Sequence, residues 1–409
     1  MTGQDVYIVG VAMHPFGRFP EKSSLQMGTE MILAALADAQ LSMKDMQVFG
    51  CGSLFENGSG QRIINELGNP GVPIYNVTNA CATGAMAVRV PFMEIKAGIA
   101  DVGLALGYEK MGKGGMTVPG QADMAARMAA QGGERPKKVF EPGKVPVMTE
   151  GILGTNTMPG TFAEIGMEYA RNNEGVGFEQ FAKVAVKSHE HSALNPYAQY
   201  RRVFTLEEVM EADIIAWPNT LPMCGPTGDG AAALVLVSGD KLKTLPDDVR
   251  KRAVKISASA LYSDPYNEDN MSPSAPDVNT LTRTAADRAY EDSGVDPQDL
   301  DLVELHDCFA TAELVHYDNL RLCEPGMAGK FIDEGSPYRD GKIPVNVSGG
   351  LVSKGHPIGC TGAANMVEVS MHLRGEAGDR QIEGAKVGMT HVIGLGSTCA
   401  VHILEKVTA

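Results

Sequence analysis

The sequence holds one tryptophan, and aromatic residues make up only 6% of it, which argues against a rigid binding platform of stacked rings. A basic excess is also missing: 35 Lys and Arg stand against 50 Asp and Glu, a net charge of −15. Nucleic acid is therefore excluded as a first reading, because a phosphate-backbone binder needs a basic face. No two of the seven cysteines form a CxxC pair, and the odd count leaves one thiol over. Neither a disulfide framework nor a structural zinc site is expected. No apolar run approaches the roughly 20 residues of a membrane span. The opening Met1-Thr-Gly-Gln-Asp5 has no basic region or small-residue cleavage site, and the final Lys406-Val-Thr-Ala409 is not a peroxisomal address. The expectation is a cytoplasmic protein in a reducing compartment, with no membrane partner.

What is present is material for a large core. The 409 residues are 44% hydrophobic, enough for two or three domains. Forty-seven glycines and 22 methionines point to tight turns and adaptable apolar pockets. Apolar runs at 6–12, 47–54 and 101–107 read as buried strands, separated by a small-residue helix at 25–40 and by a loop and long apolar helix within 73–98. Alternating strand and helix is α/β architecture. The C-terminal part repeats this order. Residues 35–48 align with 289–302, sharing Asp38 with Asp292 and Asp45 with Asp299. Farther on, Asn76-Val77-Thr78 matches Asn346-Val347-Ser348, and Val102-Gly103 matches Val387-Gly388. The offset grows steadily, as in two copies of one βαβ-rich unit that acquired insertions. Between the copies, 111–160 is rich in Gly, Met and Pro and reads as a folded lid with a short helix at 121–131. Amphipathic helices follow at 162–171 and 177–192, then a buried strand within 220–237.

Several residues at the ends of these elements could carry chemistry. Cys81, in Asn79-Ala-Cys-Ala-Thr-Gly-Ala-Met86, opens a helix that continues to about Lys96. The helix macrodipole and free N–H groups would favour its thiolate, so a depressed pKa is expected; the plain alternative is a small buried hydrophobe. His306-Asp-Cys-Phe309 follows a strand-like run. If the chain stays extended, His306 and Cys308 share one face and form an acid/base pair, while Asp307 points away. Two ligands alone make a poor metal site, so no metal is assigned, and Asp307 reads equally as a cap. Five glycines fall within the 15 residues from Ser348 to Gly362, where His356 precedes Pro357. A histidine on such a loop is a catalytic candidate, and neither phosphate-loop spacing is present. Gly394-Leu-Gly396-Ser397 would expose backbone N–H groups near the reacting atoms. The chemistry common to these parts is acyl transfer through a thioester.

These segments resemble the thiolase superfamily, in particular the sterol-carrier-protein-type thiolases. The resemblance is carried by Asn79–Gly84, Gly107-Tyr-Glu-Lys-Met111, Cys224-Gly-Pro-Thr-Gly-Asp-Gly230, Glu304–Phe309, Gly349–Pro357 and Gly394-Leu-Gly396, and spans residues 6–406. It implies a duplicated βαβαβαββ fold in five layers, α-β-α-β-α, with an inserted loop domain. The implied divisions are a first half at 1–110 completed by 201–250, an insert at 111–200, and a second half at 251–409. By the same resemblance Cys81 is the acyl-accepting nucleophile and Cys308 the acid/base thiol. His356 activates Cys81 and binds the thioester oxygen. His306, standing where many thiolases carry asparagine, completes a first oxyanion site, and the N–H groups of Cys81 and Gly396 form the second. The implied reaction is thiolytic cleavage of a 3-oxoacyl-CoA, or the reverse condensation, with coenzyme A as substrate and no bound cofactor. A bulky, branched or aromatic acyl group suits the Met-rich insert. A homodimer or dimer of dimers is implied, as is a small zinc-ribbon/OB-fold partner subunit in some relatives. The alternative reaction is an aldolase-type cleavage. Three departures stand out: Thr83 replaces a common serine, Gly394 replaces a cysteine while Cys399 is out of register, and no sterol-carrier domain follows residue 409, so lipid transfer is not expected. Arg135, Lys137, Lys138, Arg201 and Arg202 are candidate cations for anionic CoA, a solvated surface cluster is an equal reading of each, and none is assigned.

Overall fold

The computed structural model describes residues 3–56, 58–111, 157–265, 277–395 and 397–407. The first half supplies β1 (Val6–Met13), β2 (Val48–Gly52), β3 (Ile74–Val77), β4 (Val102–Lys110) and β5 (Asp229–Ser238). The second supplies β6 (Val254–Tyr262), β7 (Leu302–Glu304), β8 (Val387–Gly394) and β9 (Thr398–Lys406). The helices needed below are α1 (Ser24–Asp38), α2 (Ser59–Glu66), α3 (Thr83–Lys96), α4 (Thr157–Asn172), α5 (Phe178–Ala193), α6 (Val278–Ser293), α7 (Ala310–Asn319), α8 (Gly350–Ser353) and α9 (Thr361–Arg374).

The hydrogen-bonded strand order is β3-β2-β4-β5-β1-β6-β9-β8-β7, and its two wings have one topology. In the first, β2 runs parallel to β3 and β4, and β5 is antiparallel to β4 and β1. In the second, β7 runs parallel to β8, and β9 is antiparallel to β8 and β6. Where the first wing has β3, the second has a parallel bridge from Val303 to Val345. The wings touch through β1 and β6, at Tyr7 with Lys255 and Ile8 with Val254. The repeated residues thus occupy equivalent places: Val102-Gly103 and Val387-Gly388 open β4 and β8.

Side chains alternate across a strand, and here each face meets helices. On β5, Ala232, Leu234 and Leu236 join a central core with Val88 of α3 and Val367 of α9. Ala233, Val235 and Val237 instead face Ile32 of α1 and Ile63 of α2. On β9, Leu404 belongs to the central core, while Val401 and Ile403 pack with Leu281 of α6 and Leu314 of α7. Five layers result, with α3 and α9 in the middle. The insertion's α4 and α5 join the outer core of the second half, through Tyr169 and Phe181 beside Leu314 and Tyr317. There Lys187 on α5 and Glu313 on α7 form an ion pair in which both side chains are fully buried. Such a pair contributes little net stability but is costly to break, so it fixes how α5 sits on α7.

At the centre, the starts of α3 and α9 touch. A Cβ on Gly84 would lie 2.8 Å from the backbone nitrogen of Ala363, and one on Gly362 would lie 2.4 Å from that of Ala85. Thr83-Gly84 and Thr361-Gly362 occupy the same place in the two copies, so two glycines let the helix starts meet backbone to backbone. Two expectations need comment. The stretch 73–98 contains the short strand β3 ahead of its helix; a half-exposed edge strand of four residues has no apolar run to announce it. The helix expected at 121–131 lies outside the described residues. Among the described residues no helix is long and apolar enough to cross a membrane.

Gly362→Ala should lower stability by about 1–3 kcal/mol through overpacking at this crossing. The urea midpoint of the variant measures it, and an unchanged midpoint would mean the crossing is not tight.

Candidate active site

Cys81 lies in a turn ahead of α3 that Thr83 closes. The Thr83 hydroxyl accepts from the Asn79 N–H at 2.8 Å and donates to the Ala80 carbonyl at 2.6 Å. Ala80 is left-handed at φ 47 without being glycine, a conformation that costs about 1–3 kcal/mol and is held by its surroundings. Gly394, at the end of β8, presses on the turn: a Cβ there would lie 2.4 Å from the Asn79 carbonyl oxygen. The expected low pKa of Cys81 is not what this setting produces. Cys81 is buried, and burial pushes its thiol up to about 12. It precedes the first residue of α3 by two positions, and desolvation of the buried thiol is the largest influence on it.

The segment after β7 is held from several sides. The Leu305 N–H donates to Asn346 Oδ1 at 2.8 Å, and the Gly225 N–H donates to the Cys308 carbonyl at 2.8 Å. Asp307 points away from the site and accepts from the N–H groups of Leu351 at 2.7 Å and Val352 at 3.4 Å, so it caps the start of α8, a helix far along the chain. Gly350, at φ 60, leaves the room, since a Cβ there would lie 2.0 Å from Asp307 Oδ2. The Cys308 thiol is held well above its ordinary value by burial and by the neighbouring Cys81, Asp307 and Cys224.

His356 is fixed by its own loop. Its N–H donates to the Pro226 carbonyl at 3.0 Å, and its Nδ1 lies 2.8 Å from Thr361 Oγ1. Thr361 gives its single hydroxyl proton to the Pro357 carbonyl at 3.1 Å, so it must accept from Nδ1–H. That assigns the tautomer with a bare Nε2. Burial lowers the His356 pKa to about 4, so the ring is neutral at pH 7.

These elements bring Cys81, His306 and His356 together: the thiol sulfur and a nitrogen of each ring lie within 4.8 Å of one another. The two imidazoles stand edge to face with centroids 5.3 Å apart. His306 is fully buried, yet among the described residues neither of its ring nitrogens has a partner. Buried polar groups are nearly always paired, so this ring is built to meet something that enters the site. Apolar walls enclose it. Phe162, Phe309, Ala312 and Leu351 gather around Cys308, while Met111 and Ile358 pack on Cys81.

Sequence reasoning missed two supporting residues. Glu109, near the end of β4, accepts from the Ser53 hydroxyl at 2.9 Å and from the N–H groups of Leu54 at 2.8 Å and Gly359 at 3.2 Å. It ties the first half to the His356 loop, and its signal was an acid inside an apolar strand. Thr361 is the other, legible only from its five-residue spacing to His356. Gly396, Arg135, Lys137 and Lys138 lie outside the described residues. Arg201 donates to the Ala193 carbonyl, and Arg202 pairs with Glu208 over the Phe204 ring, so both candidate cations are already engaged.

Residues 6–210 match the family model "Thiolase, N-terminal domain", and residues 267–406 match "Thiolase C-terminal domain-like". The chain belongs to the thiolase family. It is thereby an enzyme of the acyltransferase class. It is similar to sterol carrier protein 2 of Bos taurus, 38% identical over 405 residues that span 98% of this chain and 72% of that one. It is also similar to a benzoylsuccinyl-CoA thiolase subunit (BbsB) of Thauera aromatica, 31% identical over 96% of this chain and 95% of that one. Among solved structures, an Ltp2-ChsH2(DUF35) aldolase superposes with a TM-score of 0.77 at 23% identity, covering 98% of each chain. At that identity the likeness is one of fold. Within this thiolase the departures also have physical reasons. Thr83 keeps the hydroxyl that closes the Cys81 turn, and Gly394 sits where a cysteine side chain would collide with that turn.

Burial holds His191, His316 and His402 at about 3 and His356 and His372 at about 4, against about 6.5 in an unfolded chain. Below 6.5 the unfolded state takes up protons first, so the stability these rings contribute is full above that pH and is lost as pH falls toward 4. The thermal midpoint should drop steadily over this window; a midpoint flat from pH 6.5 to 4.5 would show that the histidines are not held neutral.

Proposed function

We propose that this thiolase cleaves a 3-oxoacyl-CoA by thiolysis, or runs the reverse condensation, through an acyl group on Cys81. The observation that carries this reading is the meeting of the Cys81 sulfur with the rings of His306 and His356 inside 4.8 Å, in a buried site where His306 has no partner among the described residues. In this reading His356 Nε2 takes the Cys81 proton as sulfur attacks the 3-oxo carbon. A preformed thiolate is not needed, because proton transfer accompanies attack. Negative charge gathers on the thioester oxygen as the enolate forms, and it is met by His306, a donor with no competing bond among the described residues. The bond between Cα and Cβ breaks, and the thioester enolate takes its proton from Cys308, whose raised pKa keeps it protonated until then. Cys308 next removes the proton of incoming CoA, which attacks the Cys81 thioester and leaves as the shortened acyl-CoA. Gly396 and the Cys81 N–H are assigned to the second oxyanion site on the resemblance alone.

The enclosed apolar walls suit a bulky, branched or aromatic acyl group, and one relative is named for benzoylsuccinyl-CoA. That relative is a subunit, and the aldolase neighbour carries a DUF35 protein, which supports a second reading: activity that needs a small zinc-ribbon/OB-fold partner. Aldolase chemistry has no need of a Cys81 nucleophile together with Cys308.

CoA-dependent cleavage across straight, branched and aryl 3-oxoacyl-CoA esters tests the proposal, with ping-pong kinetics expected. Cys81→Ala should cost roughly 10⁴-fold or more in kcat, and His306→Ala about 10²- to 10³-fold. Full thiolysis by Cys81→Ala, or aldehyde release without CoA, would overturn it.

A further inference from the structure

The trio at the centre of the site has a second chemical capacity. The expectation of no metal rested on two ligands in one segment, His306 and Cys308; the fold adds a different set from three segments. Among the described residues, Cys81, His306 and His356 are the three potential ligands whose donor atoms lie within 4.8 Å of one another, and all three are buried. A tetrahedral zinc ion, with bonds of about 2.3 Å to sulfur and 2.0–2.1 Å to nitrogen, spaces its ligands by about 3.3–3.7 Å. From 4.8 Å the separation to close is about 1.1–1.5 Å, shared between two side chains.

We propose that Cys81, His306 and His356 bind one soft divalent cation, zinc or cadmium, which reversibly occupies the acyl-transfer centre. Three observations converge. Both His306 nitrogens are buried without a partner among the described residues, so binding an ion there displaces no bond those residues make. His356 already has the outer contact that metal-binding histidines use: its Nδ1–H is held by Thr361, which leaves Nε2 as the donor. The donor set is one sulfur and two imidazoles with no carboxylate, which selects zinc-like ions over magnesium or calcium. In the binding step the Cys81 S–H bond breaks, the proton leaves to solvent, and the sulfur lone pair forms the metal–sulfur bond. Two neutral nitrogens donate without losing a proton, and the fourth position stays with water. One thiolate leaves a net charge of about +1 in an apolar enclosure, which costs desolvation energy and makes the ion reversible rather than structural. That ion binding blocks turnover rests on the thiolase reading; the binding itself does not.

The test uses the full chain, freed of metal by a chelator and titrated with Co²⁺ and then Zn²⁺. One Co²⁺ per chain should give a near-ultraviolet thiolate band with the visible bands of a tetrahedral site, displaced by Zn²⁺. Saturating Zn²⁺ should shield Cys81 from alkylation, read by peptide mass spectrometry, with EDTA restoring it. Cys81→Ala should remove the thiolate band, and His306→Asn should weaken Zn²⁺ by more than the about 10-fold that losing even an outer contact costs, with circular dichroism checking each fold. A thiolate band that survives Cys81→Ala, unshielded Cys81 at saturating Zn²⁺, or equal Zn²⁺ affinity in His306→Asn would each overturn the proposal. A chain that shows the band and shielding but no thiolysis supports the site and sinks the catalytic reading instead.

Discussion

The structure depends on one close approach, the contact between the starts of α3 and α9. Gly84 and Gly362 leave no room for a side chain on either helix. Because each helix belongs to one copy of the repeated unit, the contact is also the axis about which the copies are arranged. Cys81 lies just ahead of one helix and His356 just ahead of the other, so the distance between them is set by backbone packing and not by flexible side chains. A site that must hold reacting atoms within a fraction of an ångström gains from being placed that way.

Burial then determines what the gathered groups can do. Desolvation raises the thiols and lowers the imidazoles, so the resting site holds protonated Cys81 and Cys308 beside neutral His356. None of these groups carries a charge that the apolar walls would have to solvate. The helix dipole, which sequence position alone seemed to offer Cys81, is the weaker influence here.

Around this centre, polar groups on distant segments lock the loops. Asp307 caps α8 and fills the space over Gly350, Glu109 binds the Ser53 and Gly359 loops, and Thr361 sets the His356 tautomer. Asp307 and Glu109 each join segments far apart in the chain. In the glycine-rich stretch beside His356, Gly350, Gly359 and Gly362 mark places where other backbone or a carboxylate comes within contact.

The sequence by itself determined the α/β class, the duplication and the residues worth watching. Strand alternation, repeated Asp and Gly positions and the segments around Cys81, Cys308 and His356 are local patterns, and local patterns survive in one dimension. It even held an unread marker of the central contact, the Thr-Gly pair at Thr83-Gly84 and Thr361-Gly362. Only the tertiary structure decided that Cys81, His306 and His356 share one small volume, that burial overrides the dipole at Cys81, and that Asp307 serves a helix more than 40 residues away. These are consequences of desolvation and of contacts between segments remote in sequence, and neither quantity exists until the chain has folded.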